Sequence, residues 1–502
     1  MYTGSGYSDW EIGDITVILH RGVYHLFHLI IPNHDYIAHA VSRDGISWKR
    51  TKNALFVGDP GQWDDDMLWT MHVYRENNKF IMYYTGLQRK DRGKISRIGL
   101  AESNDLLEWK KINEPHFFLE PTGPFYEHAD DNPRKWLSFR DPFRFDCNDD
   151  AYLLVCARSN IGPISRRGCV GLVKITNNEP EFLWPLLYPR AYDDIECPCI
   201  FELNGRFYLL GSVREDIKVR YWFAPEFIGE YHSFHADVLL PNGNYAARTL
   251  QDGKHLLVFN FFYTQGRVDL LRVLPPPKQL DTDEKGRLLL KSYYRWEQMV
   301  SKTILQKDIK SLSFLFSNPT ASCSIEEDKW IVGSRSGYEV FYFQRPSSSF
   351  IWEGRLTAEG MGKLGLVSDI DNEGNGYFIS FDVASGTVLI RAWGYNPTND
   401  KQNFIFNNIQ SNVFTPNSER SLYFRLIRYG RYIELSINDV VKLTLMDYTY
   451  SGYGIGLYSS SSVISLQDSV LKVLPDPEEE YASQEEAQRI LQMKQLFSDN
   501  NA

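Results

Sequence analysis

Apolar and polar residues alternate over short runs along most of the chain, and the runs come in pairs. "VILHRGVYHLFHL" from Val17 shows the form: an alternating run, a polar turn holding a glycine, then a second run rich in aromatics. The form returns in "MHVYRENNKFIMYYTG" from Met71, "PFRFDCNDDAYLLVCAR" from Pro142, "CIFELNGRFYLLGSV" from Cys199 and "TLQDGKHLLVFNFFY" from Thr249. Period-two alternation across turns of Gly, Asn or Asp predicts antiparallel hairpins.

A second element repeats beside the first. "SRDGISWKR" (Ser42 to Arg50) and "SNDLLEWKK" (Ser103 to Lys111) share Ser-x-Asp-x-x-x-Trp-Lys, each after an apolar run. Units of this size, with several strands each, predict the blades of a propeller. Five of them fill residues 1–275. The triple proline and the charges of "LPPPKQLDTDEKGRLLL" predict a linker over 276–309. Alternation resumes in "GYFISFDVASGTVLIRAWG" and "RSLYFRLIRYGRYIELSIND", predicting a β-sandwich over 310–475. The tail, 476–502, has the pattern of a short capped helix. The expected fold is therefore all-β: a five-bladed β-propeller, a C-terminal β-sandwich and a terminal helix.

Composition narrows the function. At 502 residues the chain is too long for one ordinary core. Aromatics make up 14%, which suits sheets and sugar-binding clefts alike. A formal charge of −10 argues against a nucleic-acid partner, because phosphate backbones need a basic face. No run is long enough and apolar enough for a membrane-spanning helix. The opening residues have neither a basic nor an apolar leader segment, so a cytoplasmic location is expected. Six scattered cysteines, with only Cys197-Pro198-Cys199 close together, predict buried reduced thiols and no metal site. The sandwich or the terminal helix is the expected surface for any self-association.

Acidic residues stand at the head of several hairpins. Asp14 precedes the first, in "WEIGDI"; Asp141 precedes the third, in "SFRDPFRF"; Glu196 precedes the fourth, in "DDIECPC". The inner strands of a propeller converge on one mouth, so three carboxylates at one blade position are expected to meet there. Paired carboxylates can cleave a glycosidic bond, one as proton donor and the other as nucleophile or base. Clustered charge and aromatic walls would keep the acid protonated near neutral pH. Alternation puts Asp194 on the face of Glu196, as a modulator of its charge, and turns Asp193 away. Asp64-Asp65-Asp66 fits a solvated turn. Trp10, Trp69 and Tyr245 are candidates for the pocket wall, Trp69 as a stacking face.

Taken together, these motifs resemble glycoside hydrolase family 32, the invertase, inulinase and levanase group. The resemblance covers residues 1 to about 475. It rests on Arg140-Asp141-Pro142 for the family's RDP motif, on Glu196-Cys197 for its EC motif, and on "HAVSRDGISW" for "HAVSxDxxxW". "WEIGDITVILHRGVYHLF" stands where the family commonly has Trp-x-Asn-Asp-Pro-Asn-Gly and a Tyr-His-Leu-Phe strand. The resemblance implies a propeller with a β-sandwich and a retaining hydrolysis of β-fructofuranosides that needs no cofactor. Asp14 would be the nucleophile, Glu196 the acid/base and Asp141 the transition-state stabiliser, with Arg140 a further pocket contact. Gly13 replaces the usual Asn, Ile15-Thr16-Val17 replaces Pro-Asn-Gly, and Ile37 stands where the family has a Trp. Those family residues hold the fructosyl unit, so the changes imply a different glycone. An inverting arabinofuranosidase or xylosidase, a fructosyl transferase and a silent carbohydrate-binding propeller use the same framework and stay open as alternatives.

Overall fold

The computed structural model describes residues 2, 11–112, 119–128, 134–177, 179–263, 272–360, 362–395, 404–447 and 449–477. The chain divides at residue 289 into two units.

The first unit holds the propeller. Its blades start with the inner strands Glu11–His20, Met67–Glu76, Phe139–Cys147, Glu196–Leu203 and Asn244–Asp252, each the first strand of a separate sheet. Outward pairing runs in sequence order, so each blade is a meander whose hairpins are the ones the alternation predicts. Inner strands are buried because neighbouring blades pack on both their faces. Phe27, Leu29 and Ile37 of the first blade meet Leu68, Met71, Val73 and Leu106 of the second in one apolar cluster.

The Ser-x-Asp repeat forms the same turn twice. Ser42 Oγ accepts the N–H of Gly45, and Asp44 accepts those of Ile46 and Ser47. Ser103 and Asp105 do the same for Leu106, Leu107 and Glu108. Side-chain oxygens thus satisfy backbone donors that have no ladder partner. Gly45 and Leu106 occupy equivalent left-handed positions, with φ of 75° and 67°.

The expected linker over 276–309 is not one. Lys278–Thr282 and Leu288–Lys291 are the outer strands of the fifth blade. The three prolines before them are buried and deliver the chain to that strand. Proline marks a break in hydrogen bonding, which a linker and a strand entry share. The second unit also begins before 310, since Lys302–Leu305 pairs with Gly454–Val473. Its sheet order runs from Phe404–Val413 through Gly454–Val473 to Val440–Met446. Trp330, Trp352, Phe424 and Leu466 lie in its apolar core, which gives the sandwich expected from the sequence. The predicted terminal helix lies outside the described residues.

Candidate active site

Each inner strand carries one extra residue at the same end. The register against the second strand slips between Ile12 and Ile15, Trp69 and Met71, Arg140 and Phe143, Glu196 and Cys199, and Tyr245 and Arg248. Such a β-bulge bends a strand and re-aims the side chains around it. Asp141, Cys197 and Ala246 take left-handed backbone angles there, with φ of 61°, 51° and 51°. This conformation costs roughly 1–2 kcal/mol for a residue with a Cβ. Hydrogen bonds offset it. The Asp141 N–H donates to Thr85 Oγ1 (3.2 Å), the Cys197 N–H to Asp141 Oδ2 (2.9 Å) and the Ala246 N–H to Ser212 Oγ (2.9 Å).

The bulges correct one expectation. Asp14, Asp141 and Glu196 share one end of the propeller but not one blade position. Glu196 stands just before its bulge, Asp141 is the first residue within, and Asp14 the second. Trp69, Arg140 and Tyr245 occupy the position of Glu196 in their own blades. Side chains reach one site from three register positions because the bulge turns each differently.

Arg140 links the acidic groups. Its Nη2 donates to Glu196 Oε1 (2.6 Å) and Asp194 Oδ2 (3.1 Å), and its Nε lies 3.7 Å from Asp141 Oδ1. Tyr245 donates its hydroxyl to Glu196 Oε2 at 2.5 Å, so it stands behind the acid rather than on a wall. Thr70, in the bulge of the second blade, donates to Asp14 Oδ2. Asp141 Oδ1 and the Trp69 indole N–H are buried without a hydrogen-bond partner among the described residues. Each is a buried polar atom whose hydrogen-bonding capacity is unspent. Trp69 stacks one face on His34, with ring centroids 4.7 Å apart. Trp10 lies outside the described residues.

Exposure separates the carboxylates. Asp141 and Asp194 are each 1% exposed, whereas Asp14 and Glu196 reach solvent. Burial pushes the Asp14 carboxyl above its ordinary range against the Thr70 hydrogen bond, and the Glu196 charge adds to the rise. Burial also raises Glu196 against the pull of Arg140, with the Asp141 and Asp194 charges adding. Asp141 is raised by burial and by Asp14, against Arg140. Asp194 is the exception: burial pushes it up, but the Arg140 and Arg134 guanidiniums outweigh that and hold it low. An Asp194 carboxyl held low beside Glu196 fits the modulator role. Asp193 turns away to Arg134 and Arg158, as alternation predicts.

Several residues at the site escaped the sequence reading. Arg248, 2% exposed, donates from Nη1 to the carbonyls of Cys197 (2.8 Å) and Pro198 (2.7 Å), fixing the bulge beside Glu196. Its Nε and Nη2 have no partner among the described residues. Asp64 and Asp65 prove buried rather than solvated: Lys111 and Tyr84 donate to Asp64, and the N–H groups of Gly61 and Arg89 to Asp65. Gly13 is explained by space, because a Cβ there would sit 2.9 Å from Leu29 Cβ. Donor atoms of Asp14, Asp141 and Cys197 lie within 4.8 Å of one another, close enough for one ion. The Cys197 thiol is pushed well up by burial and by both carboxylates, which disfavours the thiolate a metal needs.

Residues 14–256 match the model for the glycosyl hydrolases family 32 N-terminal domain. A levanase from Bacillus sp. (strain L7) is 32% identical over 139 residues, a match spanning 25% of this chain and 14% of the levanase. Among solved structures, sucrose-6-phosphate hydrolase from Lactobacillus gasseri superposes with a TM-score of 0.68 at 15% identity, over 93% of this chain and 91% of that one. Fructan 1-exohydrolase IIa from Cichorium intybus gives 0.67 at 15% identity, over 93% and 95%. Exo-inulinase from Aspergillus awamori gives 0.64 at 13%, over 93% and 96%.

Proposed function

The chain belongs to glycosyl hydrolases family 32, and on that premise we propose that it is a glycosidase cleaving a β-fructofuranoside or a related short furanoside with retention of configuration. The observation that carries this reading is the exposure pattern. Of four clustered carboxylates, the two open to solvent are Asp14 and Glu196, the pair the chemistry needs in contact with substrate.

In the first step the Asp14 carboxylate attacks the anomeric carbon while Glu196 protonates the departing oxygen, breaking the glycosidic bond. In the second, Glu196 takes a proton from water, whose oxygen displaces Asp14 and frees the sugar. Raised Glu196 suits the donor role; burial raises it most, and the Asp141 and Asp194 charges add to the rise. Asp141 Oδ1, without a partner, accepts a sugar hydroxyl, and Arg140 holds Asp141 and Glu196 in one frame.

A panel of furanosides and fructo-oligosaccharides, with product stereochemistry followed by NMR, tests the reading. Turnover with retention is expected, and Asp14→Asn should abolish it. Inversion at the anomeric carbon would remove Asp14 as nucleophile, and turnover undiminished in Asp14→Asn would sink the mechanism altogether.

A further inference from the structure

Past the bulge on each inner strand, the regular ladder resumes at Ile15, Met71, Phe143, Cys199 and Arg248. These five side chains form the layer beneath the acids, and all are buried. Three are apolar, and burial keeps the Cys199 thiol protonated. The fifth is a guanidinium. The other three buried arginines described in this unit are each matched by carboxylates: Arg97 by Asp91 and Glu120, Arg140 by Asp194 and Glu196, Arg158 by Glu127 and Asp193. Arg248 has no carboxylate in ion-pair contact among the described residues. Its Nη1 meets only the neutral carbonyls of Cys197 and Pro198, and its Nε and Nη2 donors are unspent.

A second unspent group lies beside it. Arg248 sits over the Phe143 ring, 5.5 Å from the centroid, and His72 packs edge-on against the same ring at 4.2 Å. The His72 Nδ1 is also buried without a partner among the described residues. Burial, with the Arg248 and Arg144 charges adding, holds His72 well below its ordinary range. The ring is therefore neutral, and its Nδ1–H tautomer is a donor. Water can satisfy such donors, but it leaves a buried positive charge without a counter-charge.

We propose that Arg248 and His72 hold one small monovalent anion, chloride or bromide, beneath the acids, and that this ion opposes the ionisation of Asp14. Arg248 is 2% exposed and His72 8%, so the ligand must shed its water, which costs a divalent oxyanion far more than a halide. The titratable groups that face Arg248 are Asp14 of the first blade, His72 of the second, and Cys197 and Cys199 of the fourth. Burial keeps both thiols protonated and His72 neutral, which leaves Asp14 as the group that changes charge. Asp14 itself faces Glu196, Asp141, Cys197 and Tyr245. Arg140 stands beside Glu196 and Asp141, whereas the guanidinium acting on Asp14 is Arg248. An anion on Arg248 cancels that support, and an ionised Asp14 weakens the anion in return. The site does not depend on the hydrolase reading; its effect on rate does.

Crystals of the full chain soaked in sodium bromide, with data collected at the bromine absorption edge, test the site. An anomalous peak is expected between Arg248 and His72 in the parent and none in Arg248→Met, whose folding circular dichroism checks. Chloride NMR line widths give the affinity in solution without turnover. Chloride should bind at least about fivefold more tightly below the Asp14 transition than above it. Asp14→Asn should bind at the tighter level throughout, Glu196→Gln should keep the pH dependence, and His72→Phe should weaken binding at every pH. Water alone between the two side chains, or chloride line widths that Arg248→Met leaves unchanged, would overturn the site. A pH dependence that survives Asp14→Asn would overturn the coupling. In kinetics on a furanoside, saturating chloride exchanged for methanesulfonate at equal ionic strength should lower kcat/KM on the acid limb at least about fivefold. An acid limb that chloride leaves in place, with the binding results intact, would defeat Asp14 as nucleophile and leave the anion site standing.

Discussion

Arg248 acts on two carboxylates of the site from a buried position. Its positive charge opposes the rise of the Asp14 pKa, and its hydrogen bonds pin the bulge next to Glu196. Replacing it with methionine removes both effects. The acid limb of the kcat/KM profile, set by an Asp14 that must be ionised, should move to higher pH in Arg248→Met and return part of the way in Arg248→Lys. Tyr245→Phe should act on the other limb. The phenol stabilises ionised Glu196, so its loss raises the Glu196 pKa and carries the alkaline limb upward. A pH-rate series on the three variants reads both shifts. Another residue-level effect concerns folding. His25 Nδ1 and His39 Nε2 lie 3.0 Å apart, and burial lowers the two rings to about 4 and about 3. Unfolded histidines take up protons near pH 6.5. Stability from this pair is therefore full above that pH and is lost as pH falls towards 4, which urea midpoints should follow. His25→Gln should flatten the slope. The catalytic candidates were legible in sequence because RDP and EC are contiguous. Arg248 and Thr70 were not, since each reaches the site only through a bulge. Their one signal is a polar residue breaking an apolar inner strand near its head, in "YAART" and "LWTMHV".

Turns and strand ends decide the next scale. Leu106 occupies a left-handed position that its counterpart fills with Gly45, yet its side chain is wholly buried between the first two blades. Relief of the backbone would return roughly 1–2 kcal/mol in Leu106→Gly. Removing a buried leucine costs about 2–5 kcal/mol by comparison with leucine-to-alanine changes. Packing wins, and the variant should lower the urea midpoint despite its better backbone fit. Hairpins were readable because alternation and turn residues agree at each one. The outer strands of the fifth blade were hidden by composition. Lys278 looks like a linker residue, but it is fully buried, with Nζ on the Pro276 carbonyl and over the Phe262 ring. A lysine stem counts as apolar surface once its charge is satisfied, and no hydropathy pattern records that.

At the scale of the molecule, the five blades must close into a ring, and among the contacts that join the last blade to the first are the Tyr24 and Trp48 rings on Phe259 and a hydrogen bond. Tyr24, fully buried in the first blade, donates to Asp252 of the fifth at 2.5 Å. Tyr24→Phe removes this hydrogen bond to a carboxylate and should cost about 1–3 kcal/mol. Because the chain comprises two units, calorimetry should resolve the loss as a lower temperature for the propeller transition, with the sandwich transition unmoved.

The one-residue slip near the head of every inner strand has a consequence for how the protein can change. A strand in strict alternation has a single phase, so what suits its packed length dictates what its tip presents. An added residue resets that phase, and the tip becomes free to vary while the remainder keeps its register. Five such resets make the mouth of the propeller a separately editable surface on an invariant ring. New sugar specificities can then arise by exchanging tip residues, with the strands that hold the ring together left as they are.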